Sequence, residues 1–219
     1  MPRSIEFVKD LDKIIILAQG PSWYQCPDET PEGAEIWGSN SIYRDHHVDR
    51  LFFGHDIRSN MLDDDYDLVP NLNKLGIPVY TSGIFKVLKN STQIPLLELM
   101  QEFHIGFFLN VITYMIGTAV LQNPKSIELY GVDMRPDAGG ESYQNEKGSV
   151  EFWCGVAIGR GIKVNSTPES FIMKNKQEGF FPGARAKVLQ KGIYSLIPKE
   201  HRNPQTLKNY TIVPIGPEI

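Results

Sequence analysis

Only two cysteines, Cys26 and Cys154, occur in the 219 residues. They lie far apart and share no metal-knuckle or redox spacing, so each is expected as a buried or free thiol rather than part of a disulfide framework. Positive charge is also in short supply: 22 Lys and Arg face 26 Asp and Glu, a net of -4 at pH 7. That balance argues against attraction to polyanions across the whole molecule and makes nucleic acid an unfavoured partner, leaving room only for a local basic groove. A long apolar run is missing too. The most apolar stretch, residues 105–121, is interrupted by Asn110, Thr113, Tyr114 and Thr118. At about 17 residues it falls short of the ~20 that cross a bilayer, so it is expected as a buried core helix. The N-terminus carries no apolar core followed by a small-residue cleavage site, and a cytoplasmic address is expected by default. Neither G-x-G-x-x-G nor a glycine-rich run ending in Lys-Ser or Lys-Thr is present. No internal repeat or low-complexity tract is visible.

What is present is a 41% hydrophobic composition, enough for one sizeable core. Lys13-Ile14-Ile15-Ile16-Leu17-Ala18 is a short apolar run stopped by Gly20-Pro21, the pattern of a strand buried on both faces. Glu35-Ile36-Trp37-Gly38 and Arg50-Leu51-Phe52-Phe53-Gly54 repeat the pattern and predict strands two and three. Gly76-Ile77-Pro78-Val79-Tyr80-Thr81-Ser82 is a fourth, with proline near the start where a missing donor is tolerated. After the 105–121 helix, Ser126-Ile127-Glu128-Leu129-Tyr130-Gly131-Val132-Asp133 predicts a fifth. A helix over 149–160 leads to a last strand at Gly161-Ile162-Lys163-Val164-Asn165-Ser166. Strands alternating with helices imply an α/β fold: an open, mostly parallel sheet with helices on both faces. Residues 174–219 lack this rhythm and carry Pro182, Pro198, Pro204, Pro214 and Pro217. They are expected as an irregular C-terminal extension packed on the 1–173 domain or on a partner subunit, which makes a homo-oligomer one reading of the tail.

In such a sheet, ligands bind beyond the carboxyl ends of the strands. That rule selects Gln19, Gly20, Pro21 and Ser22 after the first strand, Ser39, Asn40 and Ser41 after the second, His55 and Asp56 after the third, Thr81, Ser82 and Gly83 after the fourth, Asp133, Met134 and Arg135 after the fifth, and Asn165, Ser166 and Thr167 after the last. In Gln19-Gly20-Pro21-Ser22 the glycine lets the main chain approach a phosphate, while Ser22 can donate a hydrogen bond or cap a helix. His46 and His47 sit at the other end of the third strand from His55. Some 25 Å of extended chain keeps His47 and His55 from sharing one ion, so no metal site is assigned. His55 is instead a candidate base or phosphate donor. Asp63-Asp64-Asp65 reads as a solvated acidic surface. Asp133 is poised to accept from a ribose or acceptor hydroxyl, or to orient neighbouring loops. Arg135 and Tyr143, expected in one loop, can donate to charge growing on a leaving phosphate.

Taken in order, Ala18-Gln19-Gly20-Pro21-Ser22, Glu35-Ile36-Trp37-Gly38-Ser39-Asn40 and Tyr130-Gly131-Val132-Asp133 followed by Tyr143 resemble a Rossmann-like superfamily. It includes bacterial lipooligosaccharide sialyltransferases and hydroxymethylpterin pyrophosphokinase-like proteins; phage and prophage proteins with a Glu-Ile-Trp-Gly segment are more similar still. The resemblance runs over residues 13–173. It implies a nucleotide held by Gln19, Gly20, Pro21, Ser22 and Asn40, with Tyr143 matching one phosphate-stabilising tyrosine of the sialyltransferases and Arg135 standing where they have another. Their catalytic histidine has no counterpart between Tyr143 and Glu151, leaving His55, Asp133 and Glu146 as candidate bases. The function so implied is that of a glycosyltransferase-like enzyme with a nucleotide-sugar donor. The alternatives are a magnesium-dependent pyrophosphokinase-like enzyme using Asp133 and Asp56, or a phage accessory protein that binds a nucleotide without turnover.

Overall fold

A computed structural model describes residues 11–57, 67–135 and 140–173, with backbone alone for 140–144. The chain divides into two units, Met1–Ile172 and Met173–Ile219; the account below concerns the first. Asp63-Asp64-Asp65 and the proline-rich tail lie outside the described residues.

Seven strands form one sheet: β1 (Lys13–Leu17), β2 (Ala34–Ser39), β3 (Arg50–Phe52), β4 (Val79–Thr81), β5 (Ser91–Gln93), β6 (Ser126–Tyr130) and β7 (Lys163–Ser166). Their order is β5-β4-β3-β2-β1-β6-β7 and every pairing is parallel. The chain therefore builds outward from β1 to one edge, then returns to add β6 on the other side of β1. That reversal is a topological switch point, and it opens a crevice between the turns that follow β1 and β6.

Alternation along the strands divides the core between two faces. Ile14, Ile16, Trp37, Phe52, Tyr80, Ile127 and Leu129 point to one face, where they pack on α3 (Val111–Gln122) and α4 (Gly140–Gly159) through Met115, Ile116, Ala119, Trp153 and Ala157. Ile15, Leu17 and Ile36 form a core on the other, with Cys26 and with Ile42 of a 3-10 turn, Asn40–Arg44. On that face Leu51 and Val79 pack with Leu68 and Leu72 of α1 (Leu68–Lys74). Parallel strands covered on both faces must be apolar in both registers, which is why Ile14 through Leu17 is an unbroken run.

The structure corrects several boundaries. The helix expected over 105–121 starts only at Val111, because Asn110 caps it: the Asn110 side chain accepts from Thr113 N at 3.1 Å while Thr113 Oγ1 receives Asn110 N. A separate helix, α2 (Leu96–Phe103), precedes it and ends at His104 in a left-handed conformation. The helix expected over 149–160 begins at Gly140, so Tyr143 belongs to its first turn and not to a loop shared with Arg135. β5 is an extra strand. As a three-residue polar edge strand, Ser91-Thr92-Gln93 has no apolar run to signal it.

One ion pair is sunk into this core. Arg50 is 6% exposed, and its guanidinium grips Glu35 through Nε at 2.7 Å and Nη2 at 3.1 Å, while Nη1 donates to the Tyr80 hydroxyl at 2.8 Å. Trp37 Nε1 donates to the same carboxylate at 2.7 Å, and the guanidinium lies over the Trp37 ring. Burial alone would lower the Arg50 pKa, but Glu35 and the Tyr80 oxygen reverse that and hold it above its ordinary value. Beside it, Trp37, Phe52 and Tyr80 stack across three strands at centroid spacings of 5.3 and 4.5 Å. Removing one partner of such a pair strands a buried charge. Glu35→Ala is expected to cost about 3–5 kcal/mol in denaturant unfolding, and Glu35→Ala with Arg50→Met to recover much of that loss.

Both cysteines are buried. Burial, then Glu128 and Asp28, pushes the Cys26 thiol up to about 12; burial, then Glu151, pushes Cys154 up to about 12 as well. At pH 8 such a thiol is thiolate in roughly one molecule in 10⁴, against roughly a quarter for an ordinary one. Native protein titrated with a thiol reagent at pH 8 is expected to leave both unlabelled, with two equivalents reacting on denaturation.

Candidate functional site

The crevice at the switch point is a cavity of about 400 Å³. Its wall comes from the carboxyl ends of four strands: Ala18, Gln19 and Gly20 after β1, Ser39 and Asn40 at β2, Gly54 and His55 after β3, and residues 131–134 after β6. Leu109, Asn110, Val111 and Ile112 at the start of α3, and Glu146 on α4, complete it. Of the residues selected from the sequence, Gln19, Gly20, Ser39, Asn40, His55, Asp133 and Met134 thus come together here. Pro21, which is exposed, and Ser22, which is buried, do not line it. Arg135 is exposed on the chain leaving β6. The side chain of Tyr143 lies outside the described residues.

The wall is held by a clamp between the turns after β1 and β6. Asp133, 3% exposed, accepts Ser22 N on one carboxylate oxygen at 2.8 Å and Ser22 Oγ on the other at 2.5 Å. Ser22 Oγ in turn accepts from Gly131 N and from Thr167 Oγ1, each at 3.0 Å. A hydroxyl has one proton and two lone pairs, and this one has spent all three. The Ser22 hydroxyl is therefore a strut with no donor to spare, and Asp133 joins the turn after β1 to the turn after β6. The backbones meet as closely: Gly20 N donates to Gly131 O at 2.8 Å. A Cβ on Gly20 would fall 2.6 Å from Asp133 Oδ2, and one on Gly131 would strike the Ala18 carbonyl at a φ of +64°.

Two further lining residues, Asn40 and Met134, adopt left-handed backbone at φ of 49° and 43°. Such conformations cost on the order of 1–3 kcal/mol each and persist where surrounding bonds over-determine them. At Asn40 the bond is from Gly54 N to Oδ1 at 3.0 Å, tying the end of β2 to the end of β3. What Asn40 can offer a ligand is thus its Nδ2 donor. Around Met134, Ser170 Oγ donates to Val132 O and Phe171 N to Asp133 O, both at 2.8 Å. Ser170 carried no sequence signal, since a serine in a loop shows nothing of the carbonyl it will serve. Asn110 and the N-terminus of α3 were hidden inside an apolar stretch; an asparagine three residues before Thr113 is the capping pattern that marks them.

His55 is exposed, its ring edge-on to Phe53 at 5.9 Å. His47 pairs with Asp49 at 3.2 Å, away from the cavity. Among the described residues no three His, Cys, Asp or Glu side chains gather in a metal-holding group. Asp133 and Asp56, the pair considered for magnesium, sit in different settings: both Asp133 oxygens accept from Ser22 in a buried clamp, and Asp56 is exposed. Among the described residues no helix is long and apolar enough to cross a membrane.

No family model matches the chain, and no curated protein matches it in sequence. Solved structures similar to it include the sialyltransferase CstII from Campylobacter jejuni in complex with the substrate analogue CMP-3FNeuAc. That match is 14% identical and covers 70% of this chain and 79% of the other at a TM-score of 0.49. A second CstII structure, with cytidine-5'-monophosphate, is 15% identical over 73% of this chain and 81% of that one, with a TM-score of 0.44.

The clamp makes a sharp contrast between one lining carboxylate, Asp133, and the histidine. Asp133→Asn keeps one acceptor but turns an amide donor against Ser22. It is expected to lower the unfolding free energy by about 3 kcal/mol, the scale of two bonds to a charged group. His55→Ala, at an exposed ring, is expected to stay within about 0.5 kcal/mol of the parent in the same denaturant titration.

Proposed function

We propose that this chain is a glycosyltransferase-like enzyme that takes a nucleotide-sugar donor into the crevice beyond β1, β2 and β6. The observation that carries the reading is the 400 Å³ cavity at the switch point, lined by the turns that follow β1 and β6. Its volume lies in the range of small-molecule sites. The donor's nucleotide lies against Gln19 and Gly20, with Ser39 and the Asn40 amide donor at the β2 end. Pro21 and Ser22 shape the turn. Arg135 and Tyr143 assist the departing phosphate, a guanidinium fork and a phenol each donating to charge that grows as the sugar–oxygen bond breaks.

This reading asks for no magnesium, whereas pyrophosphoryl transfer does. A thermal-shift panel of nucleotides and nucleotide sugars, with magnesium and with EDTA, separates them. A ligand of the native state at 100 times its Kd stabilises by about 2.7 kcal/mol, so one nucleotide family is expected to raise Tm by several degrees, equally with and without the metal. Arg135→Ala is then expected to lower kcat for nucleotide release more than it weakens binding. Stabilisation without any release would mark a binding protein. No stabilisation by any nucleotide at millimolar concentration would sink the nucleotide site itself.

A further inference from the structure

Three cavity side chains can take a proton, and the geometry separates them. Both Asp133 oxygens are held by Ser22 in a buried clamp. The His55 ring is exposed and, among the described residues, has only the edge of Phe53 to orient it. Glu146 differs from both. It lines the cavity from α4, is partly buried, and receives Asn110 Nδ2 on Oε2 at 3.2 Å. Its other oxygen has no partner among the described residues.

The donor that aims this carboxylate is itself fixed. Asn110 Oδ1 accepts Thr113 N at 3.1 Å as the cap of α3, so its carboxamide cannot turn without uncapping the helix. A base oriented by a third group is the arrangement that nucleophile activation needs. The carboxylate does not serve as the cap, since Asn110 already fills that place. A purely structural role for Glu146 therefore has little left to do at this helix end.

We infer that Glu146 is the general base that deprotonates the acceptor hydroxyl, with Asn110 its positioning residue; the inference rests on the transferase reading above. As the acceptor oxygen bonds to the anomeric carbon of the donor sugar, its proton passes to the free oxygen of Glu146. The bond from that carbon to the phosphate oxygen breaks, and its electron pair leaves on the nucleotide. Glu146 is then neutral, and returns its proton to water after release.

The test follows nucleotide release by the full-length protein from CMP-N-acetylneuraminate and from UDP- and GDP-sugars between about pH 5 and 9, beside nucleotide thermal shifts. Glu146→Gln keeps an acceptor for Asn110 but cannot take the proton. It should lower kcat by ~10²–10⁴, abolish the acid limb of log kcat/KM, and leave the nucleotide-induced shift in Tm unchanged. Asn110→Asp keeps a capping residue and sets a second carboxylate beside Glu146, so the acid limb should move to higher pH. The other titratable side chains lining the cavity, His55 and Asp133, are common to parent and variants. Binding and turnover with an unaltered acid limb in Glu146→Gln would overturn this role alone. Binding with no release from any of these donors overturns it too, and absence of binding removes the transferase reading with it.

Discussion

The site depends on one pair of hydrogen bonds. Ser22 and Asp133 are separated by 111 residues, yet the serine hydroxyl and amide close on the two oxygens of one buried carboxylate. They set the width of the crevice between β1 and β6, because they join the turns that follow those strands at their closest approach. The two glycines are consequences of that closeness. Gly20 and Gly131 lie where either Cβ would collide with the opposite turn. Two turns packed this closely stay rigid only if the polar groups between them are satisfied among themselves.

That division of labour runs through the whole rim. The hydroxyls of Ser22, Ser170 and Thr167 and the side-chain Oδ1 of Asn40 are groups whose chemistry suggests ligand contact, but each is engaged in holding another loop. Gln19, Asn40, His55 and Glu146 line the cavity beside them. Left-handed backbone at Asn40 and Met134 falls on the same rim. Strain there is tolerated because neighbouring bonds leave the chain no alternative, which is the setting in which strained conformations survive.

How much of this was legible in the sequence follows from which signals are local. β1 could be read because a strand buried on both faces must be apolar at every position, and Ile14 through Leu17 has no alternative place. The ligand edge followed from topology alone: once the strands are parallel, their carboxyl ends share one side. β5 could not be read, since an edge strand of Ser91, Thr92 and Gln93 obeys no hydrophobic rule. Nor could the first half of α4, where Gly140, Gly148 and a polar run give no stripe before Val150, so that Tyr143 passed for a loop residue. The hardest distinction lay within the site. Sequence places Ser22 and Asp133 at strand ends equally well as ligand groups or as struts, because the difference is a contact across 111 residues that no local pattern encodes.

The two ends of the sheet solve opposite electrostatic problems, and that difference accounts for where the opening lies. On the face beneath α3, the Arg50 guanidinium and Glu35 carboxylate neutralise each other with Trp37 and Tyr80 taking further donors and acceptors, and three aromatic rings seal the strands beside them. Charge there is internally closed and nothing is left for a ligand. At the carboxyl edge, Asp133 is closed by neutral donors from the turn, while Glu146 is reached by a single neutral amide and retains an open oxygen. Asp133 has a donor on each oxygen within a buried clamp, whereas the partly buried Glu146 has one donor on one oxygen. It is that asymmetry, more than the identity of any motif, that distinguishes the wall beside α4 from the clamp opposite it.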